Sequence, residues 1–253
     1  MNTQTIIEQS KPFLSWLDSW HAQLPSVKIE TVVDDPDQAA ILAVDVTNGF
    51  CHVGPLASPR VGGIVDPIVR LMQAAHTHGM RHFVMTHDAH DPSAVEFGAY
   101  PAHCVRGSDE SEPVSELQAL PFWKDVVVMP KNSIDSALGT ELDRWLDDRP
   151  QLKTFIVVGD CTDLCIYQLA MHVRLRANEW QQQEVRVIIP EDCVDTYDLP
   201  VKAARQSGAL PHDGDLLHLI FLYHLALNGV EIVKTLTQTA ADYTAAEAAA
   251  ASR

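Results

Sequence analysis

Basic residues are scarce in this sequence: 18 Lys+Arg stand against 34 Asp+Glu, a formal net charge of −16. Phosphate-backbone binding needs clustered cations, and an acidic surface repels anionic membranes, so neither nucleic acid nor a membrane surface is an expected partner. The charge itself speaks to solubility rather than to fold. No apolar run approaches the ~20 residues that span a bilayer. The opening MNTQTIIEQSKPFLSWLDSW has no basic stretch followed by an apolar one, so no secretory signal is expected. Cysteine is sparse as well. Cys51, Cys104, Cys161, Cys165 and Cys193 are odd in number and lack the spacing of a disulfide framework, which points to reduced thiols and a cytoplasmic protein. Internal repeats and Gly/Ser-rich linkers are also lacking.

What remains is ordinary globular material. Hydrophobic residues make up 46% and charged residues 21% of 253 residues, enough chain to bury a full core. Continuous apolar runs predict strands at Ala40–Val46, His82–Thr86, Asp125–Met129, Thr154–Gly159 and Val185–Ile189, with a last short one at Val230–Lys234. Helical spacing falls between them. Ile64–His78 carries Ile64, Ile68, Leu71, Met72 and Ala75 on one face, and Gly79 stops it. Ala137–Leu146, about Asp163 to Asn178, and Leu216–Asn228 read as further helices. Strands alternating with helices predict a three-layer α/β/α sandwich with a mainly parallel central sheet. Residues 1–38 read as a helical extension whose stripe of Phe13, Leu14, Trp16, Leu17 and Trp20 must pack somewhere, which favours a homo-oligomer. Residues 39–237 read as one domain, and 238–253 as an Ala-rich tail.

In open α/β sheets, sites lie outside the carboxyl ends of the strands. There the first strand ends in Asp45, the second runs into Asp88 and His90, the third into Lys131, and the fourth into Gly159-Asp160-Cys161-Thr162-Asp163-Leu164-Cys165. Thr162 reads as an N-cap, which places Cys165 in the first turn of a helix. The helix dipole and free N–H groups would lower the thiol's pKa there and could receive an oxyanion. Each residue also has a plainer role: a buried thiol at Cys165, a loop cap at Asp45, a solvated lysine at Lys131. Convergence favours the chemical one, because amide hydrolysis needs a proton carrier and a cation beside its nucleophile.

Four stretches, AVDVTNGF, THDAHD with YPAHCVRG, MPKNSIDSALGTELDRWL and VVGDCTDLC, together resemble the isochorismatase-like cysteine hydrolases, and among them the nicotinamidases. The match runs from about Ala40 to Leu236 in the family's order. The resemblance implies Cys165 as nucleophile, Asp45 as general acid/base and Lys131 as supporting cation. It implies a cis peptide between Asp160 and Cys161, with the N–H groups of Cys161 and Cys165 as oxyanion hole. It further implies Asp88, His90 and His103 as ligands of one divalent transition metal (zinc, iron or manganese), and Phe50 and Tyr100 flanking the substrate. Tyr100 stands where a Trp is usual, Ala89 replaces a usual aromatic, and Asp160 stands where an apolar residue is usual. His87, Asp91 and Glu96 are expected to be solvated loop residues, Cys51 and Cys104 to wall the site, and Cys193 to pack. The expected function is metal-assisted deamidation of nicotinamide through a thioester. The alternatives are hydrolysis of another small carboxamide or N-carbamoyl compound, or a non-catalytic interaction domain.

Overall fold

The computed structural model describes residues 2–237, so the Ala-rich tail expected over 238–253 lies outside the described residues. Among the described residues there are nine strands: β1 Ser26–Lys28, β2 Ala39–Val44, β3 His82–Asp88, β4 Val127–Lys131, β5 Thr154–Asp160, β6 Arg186–Pro190, β7 Val194–Asp195, β8 Glu231–Val233 and β9 Thr235–Thr237. The main sheet has the order β4-β3-β2-β5-β6-β8, with β7 pairing the end of β5. Every pairing in it is parallel. The central strands β2 and β5 are buried along their whole length, as a parallel sheet covered on both faces requires.

Alternation along these strands divides the core into two apolar layers. Ile41, Met85, Ile156 and Val158 face one way, where Ile68, Leu71 and Met72 of the helix Val65–His78 cover them. Leu42, Val84 and Val157 face the other way, under Ile166, Leu169 and Val173 of the helix Cys165–Glu179. The result is a three-layer α/β/α sandwich. The chain runs outward from β2 through β3 to β4, then returns to place β5 on the other side of β2. That reversal opens a crevice at the carboxyl ends of β2 and β5.

One glycine fixes the approach of these two strands. Gly159 has φ 122°, and a Cβ there would lie 1.9 Å from the Val44 carbonyl oxygen. No other residue fits.

Three elements differ from the sequence reading. The third strand runs two residues later than expected, to Lys131, so the lysine belongs to the strand itself. The helix expected over Ala137–Leu146 begins only at Leu142, and Leu138 is 67% exposed. Asp135 Oδ1 accepts the N–H groups of Ala137 and Leu138, and Gly139 takes φ 72°, so a side-chain turn replaces the first helical turn. At the N-terminus, the helix Thr3–Ala22 is followed by β1, which pairs in parallel with β9. Of the apolar stripe, Leu17 is buried, while Phe13, Trp16 and Trp20 gather round Tyr223 of the helix Gly214–Leu227. Among the described residues no helix is long and apolar enough to cross a membrane.

Candidate active site

Four strand ends meet at one buried ammonium. Lys131 closes β4, and its Nζ lies 2.8 Å from Asp45 Oδ2, 2.6 Å from Asp88 Oδ1 and 3.6 Å from Cys165 Sγ. Asp45, just past β2, takes φ 59°, and its Oδ1 accepts the Asp88 backbone N–H at 2.8 Å. Asp45, Asp88, Lys131 and Cys165 are all buried.

Burial decides the protonation states. It pushes the Asp45 carboxyl up to about 6, with Asp88 adding to the rise and Lys131 opposing it. For Asp88 burial also raises the pKa, but Lys131 and the two histidines outweigh it and hold this carboxyl well below its usual range. Burial works against the Lys131 ammonium as well, yet Asp45 and Asp88 keep it protonated. The Cys165 thiol contradicts the sequence reading. Removal from water raises it well above its ordinary value, and the nearby Lys131 only partly offsets this. The resting group is a thiol with a carboxylate beside it, rather than a preformed thiolate.

The loop before Cys165 also departs from expectation. Thr162 does not cap the helix; the helix starts at Cys165 with Leu164 as N-cap and no side-chain bond. The Thr162 hydroxyl instead lies 2.8 Å from His218 Nδ1, and its N–H donates to the Asp195 carbonyl. The Asp160–Cys161 peptide is cis. Among the described residues, the backbone N–H groups of Cys161 and Cys165 have no acceptor, so both remain free to donate. The Asp160 side chain is buried, and its Oδ1 has no hydrogen-bond partner among the described residues.

A second cluster adjoins Asp88. The donor atoms of Asp88, His90, Glu96 and His103 all lie within 4.8 Å of one another. His103 Nδ1 donates to the Pro101 carbonyl at 2.8 Å. His90 Nδ1 lies 3.1 Å from Asn132 Oδ1, which also accepts the Asp91 N–H and is thereby fixed as an acceptor. Both imidazoles therefore turn Nε2 toward Asp88 Oδ2, at 3.2 Å for His90 and 3.7 Å for His103. His90 Nε2 is fully buried and makes no hydrogen bond among the described residues. Two imidazole nitrogens oriented from behind and a converging carboxylate fit a borderline divalent cation such as zinc. Glu96 is not the solvated residue expected: a 3₁₀ turn at Val95–Gly98 brings its Oε1 to 3.9 Å from His90 Nε2. The Asp91 side chain is solvated and accepts hydrogen bonds from the neighbouring Ser93, and His87 is half-buried against the Ser111 carbonyl.

Between the two clusters lies a cavity walled by Phe50, Leu56, Tyr100, Ile134, Leu164 and Tyr197. Phe50 and Tyr100 both approach His103, with ring centroids 5.5 and 6.2 Å away. Tyr197 escaped the sequence reading, since it follows the short strand β7, which only the pairing with β5 creates. Cys51 and Cys104 do not wall the cavity but lie in the apolar layer beneath it; Cys161 does line it. Cys193 packs in the same apolar layer.

An isochorismatase domain model matches residues 39–209. The chain belongs to the isochorismatase family. Within this hydrolase family, nicotinamidase 1 of Arabidopsis thaliana is 26% identical, over 93% of this chain and 98% of the plant protein. The solved nicotinamidase of Bacillus subtilis superposes with TM-score 0.61 at 23% identity, covering 78% of this chain and 99% of the other. The zinc complex of Pyrococcus horikoshii pyrazinamidase superposes with TM-score 0.57 at 20% identity, covering 78% and 99%. Both structures share the fold.

Proposed function

We propose that this isochorismatase-family hydrolase is a metal-assisted cysteine amidohydrolase that converts nicotinamide to nicotinate and ammonia. The observation that carries the reading is Lys131, whose one ammonium touches the thiol, the adjacent carboxylate and the carboxylate that faces the histidines. The near-full-length similarity to a plant nicotinamidase supports the substrate.

In this reading Cys165 gives its proton to Asp45 as its sulfur attacks the carboxamide carbon. Lys131 lies beside the sulfur as its negative charge develops. The tetrahedral oxygen takes hydrogen bonds from the N–H groups of Cys161 and Cys165. Asp45 returns the proton to the departing nitrogen, and ammonia leaves a thioester. Asp45 then takes a proton from water, whose oxygen attacks the thioester carbonyl; as the intermediate collapses Asp45 returns that proton to Cys165, and the product leaves as nicotinate with its remaining acid proton lost to solvent. Asp88, His90 and His103, joined by Glu96, would hold one divalent ion, which when bound supplies a Lewis-acid position for a ring nitrogen or water. Phe50 and Tyr100 would flank the ring. Five free, buried cysteines accord with a reducing cytoplasm.

The test is ammonia release from nicotinamide, benzamide, an aliphatic amide and an N-carbamoyl compound. Nicotinamide should outperform benzamide, which lacks the ring nitrogen, and the gap should shrink in His103→Ala. Equal turnover of the two, or turnover of the aliphatic or N-carbamoyl compound alone, would refute nicotinamide as the substrate.

A further inference from the structure

The loop that carries the two free N–H groups has no cap of its own, yet it is gripped from outside. Thr162 and Asp163 are adjacent, and each is held by a histidine distant in sequence, 56 residues on for Thr162 and 49 for Asp163. His218, in the first turns of the helix Gly214–Leu227, places Nδ1 2.8 Å from the Thr162 hydroxyl. His212, just before that helix, places Nε2 2.8 Å from Asp163 Oδ2. Both histidine rings are largely shielded, with side-chain exposures of 9% for His212 and 13% for His218.

The bonds of His212 fix its charge by geometry. Its Nδ1 lies 2.8 Å from the Tyr197 carbonyl oxygen, and its Nε2 faces a carboxylate. Neither partner has a proton to give, so both ring nitrogens donate and the ring is an imidazolium. The same ring stacks on Tyr197 at 3.9 Å between centroids, and Tyr197 walls the cavity. Asp163 is further held by the Thr196 hydroxyl at 2.6 Å. These contacts do nothing for the apolar core; they fix the path of residues 161–164.

We propose that His212 and His218 are a pair of positioning residues, which clamp Thr162 and Asp163 and thereby aim the N–H groups of Cys161 and Cys165 at the substrate oxygen. The proposal deepens the hydrolase reading and rests on it. Neither histidine is within its own bonding distance of the thiol, so neither is a catalytic residue. Their effect falls on the step that develops an oxyanion and spares steps that do not.

That difference supplies the test. Alkylation of Cys165 by iodoacetamide displaces iodide and forms no oxyanion. Addition of the thiol to pyridine-3-carboxaldehyde forms a hemithioacetal whose oxygen occupies the oxyanion position. In His212→Ala, His218→Ala and the double variant, kcat should fall roughly 10- to 100-fold, less than the full loss of an oxyanion donor, with KM little changed. Aldehyde affinity should fall in parallel, while the rate of Cys165 alkylation and its pH profile stay as in the parent protein. His218→Asn, which keeps a polar atom near Nδ1, and His212→Gln, which keeps a donor toward Asp163, should recover most of the loss and guard against a variant that merely misfolds. If alkylation slows as much as turnover, or if aldehyde binding is as tight in the double variant as in the parent, the clamp is wrong. If the parent Cys165 forms no aldehyde adduct at all, the hydrolase reading fails and the clamp with it.

Discussion

Lys131→Met removes the one cation from the middle of the site and leaves the methylene stem in place. The lysine's Nζ is 2.8 Å from Asp45 and 2.6 Å from Asp88, all three side chains being almost fully buried. At an effective dielectric of about 20 each contact is worth about 6 kcal/mol of Coulomb attraction, most of which offsets the desolvation of three charges. Removing one partner leaves the others buried and uncompensated, so the net loss should be about 3–5 kcal/mol. It should also depend on pH. Lys131 is among the influences holding Asp45 down to about 6, so the carboxyl rises further without it. A carboxyl whose folded-state pKa lies above its unfolded value loses stability as pH rises through that range. The deficit should therefore be present already near pH 4, where Asp88 is still ionised, grow further through pH 6 as Asp45 ionises, and be largest above neutrality. Urea unfolding of both proteins at a series of pH values measures it. A deficit under about 1 kcal/mol that stays flat across that range would refute the buried ion-pair reasoning.

Further outcomes follow from the same geometry. Cys165→Ala should abolish turnover with unfolding unchanged, and mass spectrometry after brief iodoacetamide treatment should find Cys165 labelled before Cys51, Cys104 or Cys193, which lie in the apolar core. Asp45 must be ionised to take the thiol's proton, so kcat/KM should fall as pH drops through about 6; Asp45→Asn should cost roughly 10²–10⁴-fold in kcat and remove that limb. Elemental analysis of untagged protein should find about one equivalent of a divalent transition metal, and exhaustive chelation should lower activity.

The backbone of the site was legible because its residues sit where the topology must bring them. Asp45, Asp88, Lys131 and the Cys165 loop each follow or end a mainly apolar run, and parallel strands place such ends on one edge. The Thr162 cap was misread because a hydroxyl chooses between the adjacent helix N–H groups and any tertiary partner, and His218 lies 56 residues away. The thiol's pKa was misread for a related reason. Helix position is visible in a sequence, but burial, the largest influence on Cys165, is not. The pairing of β1 with β9 rests on strands of three residues each, too short to show any period. Glu96 was set aside as solvated because spacing along an irregular loop carries no direction; only the turn at Val95–Gly98 aims it inward.

Charge accounting at the mouth of the sheet bears on that glutamate. Three neighbouring strands, β3, β2 and β5, deliver Asp88, Asp45 and Asp160, with Lys131 as the single ammonium among them in the described residues. Burial, and then Asp45, push the Asp160 carboxyl well above its ordinary value, which favours its neutral form. Asp45 and Asp88 together still exceed Lys131 by one negative charge, on the side of Asp88 Oδ2. Glu96 adds a second carboxylate within the same 4.8 Å cluster. Two surplus carboxylates beside two imidazole Nε2 atoms are balanced by one dication, whereas a lone proton on His90 would balance only one. Glu96→Gln keeps the shape and removes one of the two charges. Competition against a chelating dye should then show metal affinity reduced by at least about 10- to 100-fold, the loss usual even for groups that only support a ligand. The Asp91→Asn change, on a solvated neighbour, should leave affinity as it was. Unchanged affinity in Glu96→Gln would mean that the surplus charge is met by a proton on the imidazoles, and that Glu96 merely lies nearby.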